Sequence, residues 1–327
     1  MIQKNDVFYG KILLFGEYGV IYNSMALTIP YTLFKGELSF ISRYKYTDSE
    51  LAEESNKSLK EYAQHLKEMQ NNSVLNCSLN VNQLQKDIDK GMYFESSIPQ
   101  GYGVGSSGAL VAAIYNRYAE EKIKSDRHLS NKSIFKLKEN FSQMEAYFHG
   151  KSSGLDPLNC YIQYPLLINN SSDQSNEKQI STVAIPRNKF NKNGAIFLIN
   201  SGKPGKTAPL VKHFLEECKD PSYKKMIDEE FIPTNNRCIK SLLNGQGPSF
   251  FQALKQLSKL EFQHFKHMIP SSIQEAWQRG MQTEDFDLKL CGSGGGGFML
   301  GFAQDFNTAR ESLKQFGLEI IPVYRNS

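Results

Sequence analysis

A glycine-rich segment at residues 99–110, with the sequence PQGYGVGSSGAL, restricts the fold of this chain more than any other feature. Glycines at alternate positions permit backbone conformations that other residues rarely adopt, and they let another group approach the backbone closely. Residues 107–123 follow directly with apolar side chains at helical spacing. A helix that begins after such a loop turns its unpaired N–H groups toward it, which suits an anion such as a triphosphate. A plain glycine turn with a serine cap is the alternative interpretation.

This segment differs from two common nucleotide-binding motifs. It lacks the Gly-Lys-Ser/Thr ending of a Walker A loop, and its glycine spacing is not that of a Rossmann fingerprint. Ser106 and Ser107 add hydroxyls that can cap the helix or hold Mg²⁺.

A second glycine-rich segment, KLCGSGGGGF at residues 289–298, lies between two apolar stretches that predict strands. Each glycine in such a position costs roughly 0.5–1 kcal/mol of backbone entropy relative to alanine. A second backbone wall around phosphates or a transferred group would explain the run. A flexible linker is the alternative.

Four charged residues are candidates for chemistry. Lys11 and Glu17 interrupt an apolar run at residues 10–20, and Glu145 and Asp156 lie on either side of a Ser-Ser-Gly turn. Phosphoryl transfer needs a metal ligand, a cation and a group that positions the nucleophile, and these residue types provide them. Taken singly, each is more often a solvated charge or a cap. We interpret His149 as structural.

Composition excludes several classes of protein. A net charge of +4 over 327 residues is too small to indicate binding to nucleic acid or a membrane surface. Five scattered cysteines favour neither a disulfide framework nor a zinc site. The start of the chain lacks the apolar run of a signal peptide, and no stretch approaches the length of a membrane span. We expect a cytoplasmic protein without membrane or nucleic-acid partners.

The remaining pattern mixes strand and helix signals. Strands are predicted at residues 7–22, 26–34, 36–46, 74–81, 91–96, 160–168, 194–200, 287–290, 298–302 and 318–323. Helices are predicted at residues 48–70, 107–123, 132–149, 208–218, 250–265, 271–280 and from 306 onward. The polar stretch 169–193 predicts a surface loop near a domain boundary. We therefore expect an α+β chain with an N-terminal domain at 1–185 and a C-terminal domain at 186–327.

Together, these segments resemble the three motifs of GHMP kinases: a lysine-containing N-terminal strand, a Pro-x-x-x-Gly-Leu-Gly-Ser-Ser-Ala loop and a glycine-rich C-terminal turn. They occur in that order, with Val104 and Gly108 in place of the usual Leu and Ala. The resemblance implies the two-domain GHMP fold, with an N-terminal domain like ribosomal protein S5 and a ferredoxin-like C-terminal domain. It also implies ATP-dependent phosphorylation of a small-molecule hydroxyl.

Within the superfamily, residues 10–20, 26–30 and 149–156 are most similar to mevalonate kinases. Tyr18 departs from that pattern, because mevalonate kinases usually carry His there and phosphomevalonate kinases commonly carry Tyr. Cys291 replaces the usual Thr or Ser, and Ser201 replaces an acidic residue. Phosphomevalonate kinase, another GHMP small-molecule kinase and a catalytically silent nucleotide-binding homologue are the alternatives.

The resemblance implies roles for individual residues. Asp156 is implied as the catalytic base and Lys11 as its cationic partner, with Ser107 and Glu145 as Mg²⁺ ligands. The implied ATP-binding residues are Pro99, Gly101, Gly103, Gly105, Ser106, Ser107 and Gly108. The implied acceptor-binding residues are Glu17, Tyr18, Thr207, Gly294 and Gly295. The expected ligands are ATP, Mg²⁺ and a mevalonate-like hydroxy acid, and a homodimer is left open.

Overall fold

The computed structural model describes residues 6–41, 48–170, 178–186 and 193–325. Within them, the strands are β1 (Phe8–Phe15), β2 (Ala26–Phe40), β3 (Met92–Ser96), β4 (Leu166–Asn170), β5 (Lys178–Thr182), β6 (Ala195–Asn200), β7 (Asp287–Leu290), β8 (Phe298–Ala303) and β9 (Ile320–Arg325). The α-helices are α1 (Ser49–Asn71), α2 (Val81–Asp89), α3 (Ser106–Tyr118), α4 (Asn131–His149), α5 (Leu155–Ile162), α6 (Thr207–Glu217), α7 (Pro221–Met226), α8 (Ile232–Leu243), α9 (Gly247–His264), α10 (Ser271–Thr283) and α11 (Phe306–Lys314). Short 3-10 helices lie at Gly19–Tyr22 and Lys266–Met268, and a π-helical turn lies at Ile227–Phe231.

The strands form two sheets. The first has the order β1-β2-β4-β5 with β3 paired to β2, and the second has the order β7-β8-β6-β9. β2 and β3 are antiparallel in the register Gly36↔Ser96, and β6 and β8 are antiparallel in the register Phe197↔Gly301. A Cβ at position 301 would lie 2.1 Å from the Phe197 ring, so glycine is required there.

By contacts, the chain divides into two units that interleave along the sequence. The first takes the described parts of residues 1–11, 30–99 and 104–164, and the second takes those of 12–29, 100–103 and 165–327. The two consecutive domains at residues 1–185 and 186–327 stay a prediction from the sequence.

Aromatic residues hold three helices of the first unit together. Tyr115 of α3 lies with its ring centroid 5.0 Å from Phe141 of α4 and 5.3 Å from Tyr161 of α5, each in an edge-to-face arrangement. Such pairs add roughly 0.5–1.5 kcal/mol each to the burial of their apolar surface. This packing holds α3, α4 and α5 in place relative to one another.

The core of the second unit is also aromatic. Phe15, at the end of β1, lies 5.7 Å from Phe302 and 6.0 Å from Phe250. Trp277 is fully buried, and its indole N–H donates to the Ser258 hydroxyl at 2.9 Å. These contacts pack α9 and α10 around the strands that precede and follow the second glycine segment.

Two predicted strands are wrong because local helix signals override their apolar residues. The strand predicted at 74–81 is absent from this described stretch, since Asn80 caps α2 by accepting the N–H of Gln83 at 3.0 Å. In the strand predicted at 160–168, residues up to Ile162 belong to α5, and β4 begins only at Leu166. A short apolar run that is buried on all sides cannot be assigned to helix or strand by its period.

Two further predictions need correction at their edges. The first strand ends at Phe15 rather than residue 22, because Gly16 and Tyr18 adopt positive φ angles of 114° and 56°. The predicted loop at 169–193 contains β5, which pairs with β4. Residues 171–177 and 187–192 of that loop, and 42–46 of the strand predicted at 36–46, lie outside the described residues.

Within the described residues, no helix combines the length and apolar character needed to cross a bilayer. The cytoplasmic location and the homodimer stay predictions.

Candidate active site

The first glycine segment ends where α3 begins. Gly105 is the N-cap of α3 with φ of 84°, and it has no side chain to cap the first N–H groups of the helix. Ser106 and Ser107 form the start of that helix. A Cβ at Gly108 would lie 2.8 Å from the Pro157 nitrogen, so glycine lets α3 approach α5. The N-terminus of α3 thus lies at the glycine loop, as the sequence predicts, and anion binding there stays a prediction.

Lys11 and Asp156 form an ion pair in the first unit. Lys11 Nζ lies 3.0 Å from Asp156 Oδ2. The lysine is 4% exposed on β1, whereas the aspartate side chain is 44% exposed in the first turn of α5. A Cβ at Gly105 would lie 2.9 Å from Lys11 Cγ, so the loop backbone crosses directly over the lysine. The buried Lys11 cation thus contacts the Asp156 carboxylate, which is exposed enough to bind a second group.

Glu145 lies near the end of α4 and is held by two hydroxyls. Ser107 Oγ donates to Oε1 at 2.9 Å, and Ser152 Oγ donates to Oε2. Burial, followed by the charge of Asp156, raises the pKa of Glu145 to about 7, against hydrogen bonds from both serines that lower it. The structure therefore brings Ser107, Glu145, Asp156 and Lys11 into one cluster, as the sequence resemblance implies.

His149 also contacts this cluster. Its Nε2 lies 3.1 Å from Ser107 Oγ. Because the Ser107 hydroxyl donates its hydrogen bond to Glu145, its oxygen can accept one from His149 in the tautomer that carries hydrogen on Nε2. The sequence analysis interprets His149 as structural, and its position one residue before the turn at Gly150 gave no sign of this contact.

The residues around Ser107 fit a magnesium ion. A serine hydroxyl and a carboxylate are hard oxygen ligands of the kind that Mg²⁺ prefers. Among the described residues, no group of three or more His, Cys, Asp and Glu side chains forms a metal cage. Mg²⁺ commonly takes one or two protein ligands and completes its shell with phosphate oxygens and water, so the sparse donor set is suitable.

The second glycine segment is a tightly packed turn in the second unit. Gly295 donates its N–H to the Met268 carbonyl, and Gly297 donates to the Lys203 carbonyl, both at 2.6 Å. A Cβ at Gly294 would lie 2.4 Å from the Met268 oxygen, and one at Gly297 would lie 2.7 Å from Tyr102 Cα. These contacts exclude the alternative of a flexible linker.

The start of the first glycine segment also has a defined path. Pro99 is half-buried after β3. In the second unit, Gly101 has φ of 77° and accepts the N–H of Gly205 at 2.9 Å, and Gly103 has φ of 76°. A Cβ at Gly103 would lie 3.2 Å from the Cys291 carbonyl oxygen. The positive φ angles and close approaches explain why glycine stands at these positions.

Tyr18 and Thr207 meet at Ser293, which sequence reasoning missed. The Tyr18 hydroxyl donates to the Ser293 carbonyl at 2.5 Å, and Thr207 Oγ1 lies 3.0 Å from Ser293 Oγ. Tyr18 is 5% exposed, and its ring packs against Phe214 and Phe265. Burial, followed by the charge of Glu17, raises the pKa of Tyr18. The phenol is therefore a neutral donor with its partner inside the protein.

Glu17 belongs to a buried charge network. Lys289 Nζ donates to Glu17 Oε1 at 2.7 Å and to the Leu290 carbonyl at 2.5 Å. Burial lowers the pKa of Lys289, but the carboxylates of Glu17 and Glu261 outweigh it and raise the pKa. Sequence reasoning missed Lys289 and Glu261, because a charge on an apolar strand or helix face gives no sign of its buried partner.

Glu261 completes this network from α9. Its Oε2 accepts the backbone N–H of Leu290 at 2.7 Å, and its Oε1 is buried with no hydrogen-bond partner among the described residues. Burial raises the pKa of Glu261 to about 8, against the charge of Lys289 and the Leu290 N–H, which lower it. This network anchors the end of β7, from which the second glycine segment begins.

Comparisons with known proteins show what the chain resembles in sequence family and in fold. The family model for the GHMP kinases N terminal domain matches residues 59–163. Among solved structures, mevalonate kinase from L. major in complex with R-mevalonate is 17% identical, with 98% of this chain and 95% of that chain covered and a TM-score of 0.63. Phosphomevalonate kinase from Streptococcus pneumoniae, in complex with phosphomevalonate and AMPPNP, is 13% identical, with 99% of each chain covered and a TM-score of 0.62. Galactokinase from Lactococcus lactis, complexed with galactose, is 13% identical, with coverage of 99% and 94% and a TM-score of 0.55.

A sequence comparison with curated proteins gives no match. The family match and the structural neighbours confirm the resemblance predicted from the sequence and the two-domain α+β fold. The chain contains a GHMP kinase N-terminal domain and has the GHMP kinase fold. The solved structures named above are under 25% identical and show the fold alone, and the different small molecules bound in them leave the substrate open.

Proposed function

We propose that this chain transfers the γ-phosphoryl group of ATP to the 5-hydroxyl of mevalonate. The observation that carries the proposal is the pair Lys11–Asp156, which joins a buried cation to an accessible carboxylate at 3.0 Å. This is the arrangement that phosphoryl transfer to an alcohol requires, because the hydroxyl must lose a proton while charge develops on the transferring group.

In this mechanism, Asp156 accepts the proton of the acceptor hydroxyl as its oxygen bonds to the γ-phosphorus and the bond to ADP breaks. Lys11 keeps Asp156 ionised and stabilises negative charge on the transferring group. The N-terminus of α3, at Ser106 and Ser107, binds phosphate oxygens through its N–H groups. Ser107 and Glu145 would hold Mg²⁺, which neutralises charge on the phosphates. The products are ADP and 5-phosphomevalonate.

The acceptor-binding residues that the sequence resemblance implies lie in the second unit. Thr207 begins α6, and its hydroxyl shares a hydrogen bond with Ser293 at the surface. Gly294 and Gly295 follow Ser293 in the same turn, where Gly294 is buried and Gly295 is half-buried. We propose that Thr207, Gly294 and Gly295 contact the acceptor. Glu17 and Tyr18 are buried and hydrogen-bonded within the protein, so we propose that they support the acceptor site without touching the acceptor.

Phosphomevalonate is the second candidate acceptor. Two exposed lysines, Lys203 and Lys206, precede Thr207 in the chain and could pair with a second anionic group. Tyr18, the residue that phosphomevalonate kinases commonly carry at this position, agrees with this alternative.

The test is release of ADP from purified protein with ATP, Mg²⁺ and each of mevalonate, phosphomevalonate, galactose and homoserine. Turnover with mevalonate alone supports the proposal, and turnover with phosphomevalonate alone supports the second candidate. Absence of turnover with every acceptor, in a protein that still binds ADP, would overturn the assignment of mevalonate and favour either another acceptor or a silent nucleotide-binding homologue.

A further inference from the structure

Ser152 lies in the turn between α4 and α5 and contacts the second oxygen of Glu145. Its hydroxyl donates to Oε2, whereas the Ser107 hydroxyl donates to Oε1. Glu145 is 4% exposed, so water does not readily replace either donor. The orientation of this carboxylate therefore depends on two serines from different segments of the chain.

Ser152 is itself held from two sides. Its Oγ accepts the N–H of Gly154 at 2.9 Å, and its carbonyl oxygen accepts the hydroxyl of Ser142 at 2.6 Å. A Cβ at Gly154 would lie 2.1 Å from the Lys138 carbonyl, which shows how closely the turn packs against α4. Because a serine hydroxyl has one proton and its oxygen already accepts from Gly154, that proton is directed to Glu145.

The same turn leads directly to the proposed catalytic base. Gly154 is the N-cap of α5, and Asp156 lies in the first turn of that helix. One hydroxyl thus connects the buried carboxylate of Glu145 with the start of the helix that carries Asp156. A change at Ser152 would affect the orientation of Glu145 before it affects the packing of α4 or α5, because both helices have their own buried cores.

We propose that Ser152 is a positioning residue that fixes Glu145 with Oε1 toward Ser107, so that the two proposed Mg²⁺ ligands stay assembled. This inference rests on the proposed function, since it assumes that a nucleotide with Mg²⁺ binds at Ser107 and Glu145. It requires that Ser152 contributes to the metal-dependent part of nucleotide affinity and contributes nothing to affinity without metal.

The next residue, Ser153, provides a matched control. Its hydroxyl accepts the N–H of Leu155 at 3.3 Å, and the residue is exposed. Ser152→Ala and Ser153→Ala remove the same atom from adjacent positions of one turn, and they differ in whether Glu145 loses a donor.

The experiment measures the dissociation constant of ADP by calorimetry, once with MgCl₂ and once with EDTA. We expect Ser152→Ala to weaken ADP binding about tenfold with Mg²⁺, the effect of losing a hydrogen bond to a charged group, and to leave binding in EDTA unchanged. Ser152→Thr keeps the hydroxyl and should restore the wild-type constant. Ser153→Ala should match the wild type in both conditions, and melting curves check that each variant is folded.

Two results would overturn the assignment of Ser152 alone: equal constants for Ser152→Ala and Ser153→Ala, or an equal loss with and without Mg²⁺. If Ser152→Ala does not fold, Ser152→Cys carries the same test, because a thiol is a weaker donor and should give a smaller metal-dependent loss. A wild-type protein that binds ADP equally with MgCl₂ and EDTA would overturn the proposed metal site and this inference with it.

Discussion

The two units each contain a lysine–carboxylate pair, and the pairs differ in their access to water. In the first unit, Asp156 beside Lys11 has a side chain that is 44% exposed. In the second unit, the side chains of Lys289 and Glu17 are 0% and 2% exposed. An accessible carboxylate can exchange a proton with a ligand, whereas a sealed pair can only hold its neighbours in place. This difference in access agrees with the proposed chemical role of the first pair and with a structural role for the second.

The largest expected effect comes from Asp156→Asn, which removes the proposed proton acceptor and keeps its shape. We expect turnover to fall by about 10²–10⁴-fold, the usual contribution of a general base, while ADP·Mg²⁺ still binds. Steady-state kinetics and calorimetry measure the two quantities. Asp89→Asn, at an exposed position in the same unit, is the control and should keep normal turnover. Near-normal turnover in Asp156→Asn would remove Asp156 from the role of base.

The contrast between the pairs is tested by changing both lysines to methionine. Lys289→Met leaves Glu17 buried without its cation, which we expect to cost about 3–5 kcal/mol of unfolding free energy. Lys11→Met should lower turnover strongly and cost less stability, because water can reach Asp156. Urea unfolding and kinetics of both variants separate the two effects.

Lys255→Met is the control for this experiment, because its ion pair with Glu284 is exposed and should contribute little. The comparison fails if Lys11→Met and Lys289→Met lose equal stability, or if Lys289→Met unfolds as easily as Lys255→Met.

A smaller effect concerns the pH dependence of stability. Burial raises the pKa of Glu261 to about 8 in the folded protein, from an ordinary 4.5. Between these values the folded state binds a proton that the unfolded state has released, so the unfolding free energy falls as pH rises from about 5 to 8. In Glu261→Gln this part of the slope should disappear.

Urea unfolding at several pH values measures the slope. Asp287, whose pKa burial raises to about 7, titrates in the same range and should leave a residual slope in Glu261→Gln. A variant with the wild-type slope would show that Glu261 is ionised in the folded protein at neutral pH.

The accessible pair, Lys11–Asp156, was predictable from the sequence, and the buried pair, Lys289–Glu17, was not. Lys11 and Asp156 lie in glycine-rich or turn segments, where a charged residue has a recognisable motif around it. Lys289 lies in a regular strand, 272 positions from Glu17, and their approach depends on tertiary packing, so the sequence singled out Glu17 without its partner. Sequence patterns report local conformation and repeated motifs, so contacts made by tertiary packing stayed hidden.

The same difference explains which elements were found. Strands β6, β7 and β8 were predicted because apolar residues and glycine turns define them locally. Helices α7 and α8 were missed, because their polar residues hide an apolar face that is recognised only once it is buried. His149 and Ser152 were missed for another reason. Their contacts depend on where the side chains of Ser107 and Glu145 point, and the sequence around His149 and Ser152 does not show this.

The smallest expected effect comes from Tyr18→Phe. The phenylalanine keeps the packing against Phe214 and Phe265 and loses the hydrogen bond to the Ser293 carbonyl. We expect a loss of roughly 1 kcal/mol in unfolding free energy and less than a tenfold change in KM for the acceptor, because the hydroxyl is already bonded within the protein. Urea unfolding and kinetics with the acceptor found in the panel measure both.

Tyr9→Phe, in β1, is the control, because it also removes a phenol hydroxyl from a tyrosine near the start of the chain. If Tyr18→Phe raises KM tenfold or more and leaves stability unchanged, the phenol contacts the acceptor and not Ser293 during turnover. Tyr18 would then have a role in catalysis, as proposed for the accessible Lys11–Asp156 pair. Its buried ring and raised pKa instead favour a structural role, as for the buried Lys289–Glu17 pair.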